Sequence, residues 1–205
     1  FHFVTALGMV TLFMFVDFNT ISPGANDNLT GTYAAVCALR MLDMAGVDFE
    51  NTEVCAMITD GEEAGLRGCK SWAKNHYDEY VNSGVETVVL CVDTLTDRDY
   101  LRVYNKDMTG TVKNNQQFSQ LVMDASKDAG HDDIELSSVF FGSSDAAAFS
   151  QAGITATCLA AMDPRPADYY HNRRDTADRL VPETIKTGFD VIISTILNFD
   201  EKGLN

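Results

Sequence analysis

A three-layer α/β/α sandwich with a mixed, mostly parallel central sheet is the fold class this chain predicts, and two features of its pattern predict it. Short apolar runs alternate with amphipathic helical stretches along the chain. Several of those runs (Val54 to Thr59, Thr87 to Val92, Ile154 to Leu159) are apolar at successive positions, as strands covered on both faces are. A length of 205 residues fits one domain over 1–205 with a sizeable core.

Taken in order, Phe1 to Val16 carries no formal charge, and its Val, Thr and Phe content predicts buried strands rather than a signal or a membrane span. Gly8-Met9 makes a poor hairpin turn, so a connecting loop is expected to be missing there. The first residue is not Met, so an N-terminal stretch is expected to have been removed. Ser22 to Asn28 is a loop by its turn residues, and Thr30 is placed to cap the helix that Gly46 stops. Leu66 to Tyr80 reads as a helix and Tyr100 to Tyr104 as a strand. Gln116 to Ala129 is helical, Ser137 to Phe141 extended, Asp145 to Gln151 a short helix and Pro182 to Phe199 a terminal helix.

A net charge of −15 excludes nucleic acid as a partner, because such binding needs Lys and Arg to neutralise phosphates, and it disfavours anionic membranes. The five cysteines show no CxxC pair and no disulfide-framework spacing, which leans towards a reducing compartment.

Four acidic or histidine motifs fall at strand ends or in the loops leaving them, where open α/β sheets build their sites. They are Asn26-Asp27-Asn28, Gly61-Glu62-Glu63-Ala64-Gly65, Val92-Asp93-Thr94 and Tyr170-His171-Asn172 with Asp175-Thr176 behind it. Carboxylates and one imidazole gathered from distant segments suit a divalent metal, which also relieves their mutual repulsion. Taken singly, each motif has a plainer reading. Asp27 and Asp93 would be turn residues, Glu62 and Glu63 acids at a helix start, and His171 a solvated loop histidine. His2, His76 and His131 keep the plain reading.

The run Ser22 to Asn28, the run Gly61 to Gly68, the stretch from Ser144-Asp145 through Phe149 to Ile154, and His171 through Asp175 to Leu180 together resemble the successive signatures of the co-catalytic zinc aminopeptidase family, which includes glutaminyl cyclases. The resemblance runs in one order from about Phe13 to Leu180. It implies that Asp27 bridges two zinc sites across a cis Asp27-Asn28 peptide, that Glu63 and His171 complete one site, and that Asp93 serves the other. It also implies Glu62 as general base, Asp145 near the site, and peptides or small amides as substrates. Asp175 is a candidate to orient His171. The chemistry follows from the donor set: three protein ligands leave a zinc position open for water, and Glu62 takes that water's proton.

One position departs from the pattern. Where the family has His-x-Asp, this chain has Phe15-Val16-Asp17, and phenylalanine cannot ligate zinc. A single zinc is therefore expected, with the second site in doubt. The leading expectation is aminopeptidase-like hydrolysis, beside two alternatives: a single-zinc glutaminyl cyclase, and an inactive module that keeps the fold.

Overall fold

The computed structural model describes residues 2–15, 20–165 and 167–204. In order, its elements are α1 (His2–Phe15), α2 (Gly31–Met44), α3 (Arg67–Tyr80), β1 (Val88–Leu95), β2 (Leu101–Asp107), β3 (Val112–Lys113), α4 (Gln116–Asp128), β4 (Glu135–Ser138), α5 (Asp145–Gln151), β5 (Thr155–Ala161) and α6 (Pro182–Lys202).

The sheet is mixed, as the pattern predicts. β1 lies parallel to β5, β5 antiparallel to β2, and β4 parallel to β2 on its other side, while β3 closes a short hairpin on the end of β2. Strand side chains alternate between faces, and two cores result. Leu101, Val103, Leu159 and Ala161 pack with Phe118 and Val122 of α4, Val191 and Ile192 of α6, and Ala34 and Ala38 of α2. On the opposite face Ala156, Cys158 and Ala160 pack with Cys69 and Ala73 of α3 and Ala146 to Phe149 of α5. Helix, sheet and helix make three layers.

Local signals place the helices. Asn115 accepts a hydrogen bond from Phe118 N to cap α4, Ser144 accepts one from Ala146 N to cap α5, and Pro182 opens α6. Thr30 does not cap α2: its hydroxyl donates to Asn26 O at 2.8 Å, because the turn before the helix already curls helically. Gly31 is required for another reason. A Cβ there would meet Val92 O at 2.3 Å, so only glycine lets α2 lie this close to β1.

Two segments expected to be extended form no strand among the described residues. The apolar start, expected as buried strands, forms α1, with Leu7, Met9 and Val10 all more than half exposed. Val54 to Thr59 forms no regular element, and Ile58 is exposed. A strand must borrow its hydrogen bonds from a neighbour, whereas a helix closes its own, and among the described residues no strand pairs with either segment. Among the described residues no helix is long and apolar enough to cross a membrane.

Candidate metal centre

Asp93 stands at the carboxyl end of β1. The register with β5 slips between Asp93 and Leu95, and Thr94 turns into the left-handed region at φ 46°. Asp93 is the last residue in regular register, opposite Ala160, and its side chain lines the cleft just before the break. Asn28 holds the break open: its Oδ1 accepts from Thr94 N at 3.2 Å and Gly31 N at 3.0 Å, and its Nδ2 donates to Val92 O at 2.9 Å. Asn26, almost fully buried, does the same one residue on. Its Oδ1 accepts from Leu95 N at 2.9 Å, and its Nδ2 donates to the Tyr169 hydroxyl at 2.9 Å. Between these two amide clamps sits Asp27, followed by the cis Asp27–Asn28 peptide that the family resemblance implies.

Asp175 corrects an expectation. Instead of orienting His171, its buried carboxylate accepts from Asn26 N at 2.8 Å and Asp27 N at 2.9 Å. The chain folds back there, with Ala25 N donating to Asp175 O, so the nearest donors are backbone amides. Asp175 thus anchors Asp27.

Glu62 and Glu63 ride a tight turn whose backbone closes through Gly65 N and Leu66 N, both donating to Glu62 O, at 2.8 and 2.7 Å. Gly68 lets α3 start against this turn, since a Cβ there would strike Asp60 O at 2.3 Å. His171 adopts φ 55°, a left-handed conformation that swings its ring back over the site, where Tyr170 stacks on it with centroids 3.7 Å apart.

The predicted ligands converge. Donor atoms of Asp27, Glu63 and His171 lie within 4.8 Å of one another, and His171 Nε2 sits 3.3 Å from Asp27 Oδ2 and 3.1 Å from Glu63 Oε1. Hydrogen bonds to Asp27 and then Glu63 raise the His171 pKa to about 10. A proton on His171 therefore occupies the place a cation would take between two carboxylates. Glu62 is raised to about 7, first by burial, then by the charges of Glu63, Asp145 and Asp27. Burial, and then Asp27, push Asp93 well above the ordinary carboxylate range. The Asp93 Oδ1 is shut off from solvent with no hydrogen-bond partner. An orphaned buried oxygen beside three converging donors fits a divalent cation.

Asp145 lies near the site as expected. Its Oδ2 accepts from the Thr59 hydroxyl at 3.1 Å, its Oδ1 is buried and unpartnered, and the helix cap belongs to Ser144. Val16 and Asp17, and with them the second-metal question at Phe15-Val16-Asp17, lie outside the residues whose side chains are described. Of the other histidines, His76 is partly exposed and pairs with Glu79, and His131 meets Asp190 at 3.4 Å.

Asn26, Asn28 and Tyr169 escaped the sequence reading. The available signal was an amide on each side of Asp27, since an amide both donates and accepts and so can clamp two segments at once. Tyr169 completes the chain, donating to Asp97 while accepting from Asn26. The site opens into a cleft of about 390 Å³ that continues from the carboxylates over Tyr104, Arg102 and Met162.

The sequence pattern of Peptidase family M28 matches residues 10–196. This chain belongs to peptidase family M28. The M28 chain is also 27% identical over 194 residues to Aminopeptidase YwaD of Bacillus subtilis (strain 168), covering 85% of this chain and 37% of that one. Its fold is shared with an aminopeptidase from Aneurinibacillus sp. strain AM-1 (TM-score 0.70, 22% identity, 85% of this chain and 39% of that one). It is shared too with an Acidobacteriales bacterium glutaminyl cyclase (TM-score 0.64, 17% identity, 88% and 63%). This M28 chain spans little more than a third of the curated relative it matches.

Proposed function

We propose that residues 1–205 form the catalytic domain of a zinc-dependent, aminopeptidase-like enzyme that hydrolyses peptide or related amide bonds. The convergence of Asp27, Glu63 and His171 beside Glu62 carries this reading. In a tetrahedral zinc site with metal–ligand distances near 2.0–2.1 Å, ligand atoms stand about 3.3 Å apart. The His171 Nε2 distances of 3.3 and 3.1 Å match that edge. Two carboxylates and one imidazole suit zinc's borderline character and leave a fourth position open.

Zinc so held supplies Lewis acidity, which makes a water acidic near neutral pH and polarises a scissile carbonyl. The chain's own residues do the rest. Glu62 accepts the proton of the attacking water and returns it to the leaving amine, for which a pKa near the working pH is best. A nearby cation favours the ionised carboxylate, so Glu62 starts the cycle as a base. Asp175, through the Asn26 and Asp27 amides, keeps the Asp27 carboxylate aimed.

Asp27, Glu63 and His171 are a complete set for one zinc. Asp93, with Phe15 at the position where the family pattern has a histidine, would add one further carboxylate beside that zinc, and among the described residues no second donor set gathers around it. The likeness to a glutaminyl cyclase keeps a second reading alive, in which the single zinc activates a substrate amide.

The test is a zinc-reconstituted protein assayed on aminoacyl-nitroanilides and on an N-terminal glutamine peptide. The expected result is one zinc per chain and hydrolysis, with Glu62→Gln cutting kcat by roughly 10²–10⁴-fold while zinc stays bound. Cyclisation of the glutamine peptide without hydrolysis would select the second reading. Absence of stoichiometric zinc and of turnover would reduce the chain to a binding module.

A further inference from the structure

The cleft is electrically two-ended. Asp27, Glu62, Glu63 and Asp93 crowd one end, and among the described residues lining it Arg102 is the sole cation. The sheet fixes where that cation stands. Asp93 pairs with Ala160, Ala160 pairs with Arg102, and Arg102 pairs with Glu135, so all four share one transverse row on the cleft face. Strands lie about 4.8 Å apart, which puts the Arg102 backbone roughly 10 Å from that of Asp93. A dipeptide measures about 7 Å end to end, a span that a long arginine side chain readily closes.

Little else claims this guanidinium. One N–H goes to the adjacent Leu101 O at 2.8 Å, and Glu135, three-quarters exposed, reaches Nε only at 4.0 Å. The other acid on this part of the lining, Asp163, is already paired with Arg165 at 3.0 Å. The Arg102 side chain is itself about a quarter exposed, so water screens it only in part. A guanidinium offers a planar fork of donors that matches a carboxylate.

We propose that Arg102 is a specificity residue that binds a substrate carboxylate, so that this site prefers substrates with an anionic group within reach of the scissile bond. The substrate's ammonium faces the acidic end and its carboxylate the arginine. This rests on the hydrolytic reading above. Two sources offer the same chemistry: an acidic side chain on the residue before the scissile bond, or the free α-carboxylate of a dipeptide.

The deciding experiment compares kcat/KM for Glu- and Gln-nitroanilide, and for Leu-Gly and Leu-Gly-amide, in zinc-reconstituted wild type, Arg102→Gln and Arg102→Lys. Binding of glutamate against glutamine, and of Leu-Gly against Leu-Gly-amide, is measured in parallel by calorimetry on the zinc-loaded Glu62→Gln protein with and without Arg102→Gln. At least one pair should favour the carboxylate tenfold or more, with the ratio collapsing towards one in Arg102→Gln and partly restored in Arg102→Lys. The glutamate pair assigns the side chain, and the dipeptide pair assigns the α-carboxylate. Hydrolysis with both ratios near one, or a ratio unchanged by Arg102→Gln, overturns the proposal and leaves hydrolysis standing. An Arg102-dependent binding preference in a protein that turns nothing over supports the site and sinks the hydrolytic reading instead.

Discussion

His171 Nε2 lies 3.3 Å from Asp27 Oδ2 and 3.1 Å from Glu63 Oε1, and that single ring decides how the site responds to pH. Its pKa of about 10 means the metal-free protein keeps the imidazole charged well past neutrality. The sign follows from the direction of the shift. Stability from the charged ring facing Asp27 and Glu63 is fully present below about 6.5 and is lost as pH rises through about 10. Zinc needs the neutral ring, so binding must expel that proton. Apparent zinc affinity is therefore expected to rise about tenfold per pH unit between pH 7.5 and 9, where an ordinary histidine would already have levelled off. Calorimetry in buffers of different ionisation enthalpy reads the released proton, and a flat affinity across that range would remove the proton from the site.

Among the elements, the junction of β1 and α2 carries the most constraint. Asp93 leaves the sheet here, Asn28 spans both elements, and Gly31 lets their backbones touch. A methyl group at Gly31 would lie 2.3 Å from Val92 O and 2.5 Å from Asn28 Oδ1, so α2 must retreat from the strand. Gly31→Ala is expected to destabilise the domain by about 1–3 kcal/mol, seen as a lower urea midpoint at unchanged slope. The same retreat loosens the Asn28 clamp, so zinc affinity should fall with it. An unchanged midpoint would mean the helix packs less tightly than these distances require. Most strands and helices from α3 onwards were readable because each carries its own signal: an apolar run, a cap, or a proline at a helix start. β3 lies in what reads as a polar loop, and β4 runs Glu135–Ser138 where Ser137 to Phe141 was expected. The first helix and the Val54 to Thr59 segment were misread because an apolar run does not say whether a neighbouring strand stands beside it.

Across the whole molecule, the proposed ligands Asp27, Glu63 and His171 come from three segments separated by most of the chain. One cation joining them would tie the domain together by linkage: whatever binds only the folded state stabilises it. Zinc at about 100 times its dissociation constant should add roughly 2.7 kcal/mol, and chelation should remove it. Thermal unfolding with and without a chelator measures this, with Glu63→Gln as the control in which most of the zinc-dependent rise should vanish. A chelator-insensitive midpoint would show that the three loops do not share a metal.

The amino-acid sequence by itself determined the α/β class and most elements from Leu66 onwards, and it singled out Asp27, Glu63 and His171, whose donor atoms converge, with Glu62 and Asp93 as further candidates. These are written in local code: periodicity, turn residues and motifs in a recognisable order. Only the tertiary structure decided that Asp175 holds the Asp27 backbone instead of the His171 ring. It likewise decided that Asn26, Asn28 and Tyr169 form the clamp, and that Arg102 shares a transverse row with Asp93, two strands away. Hydrogen-bond partners and cleft walls depend on which distant segments meet, and a residue's neighbours in space are set by packing and register, which its neighbours in the chain do not encode.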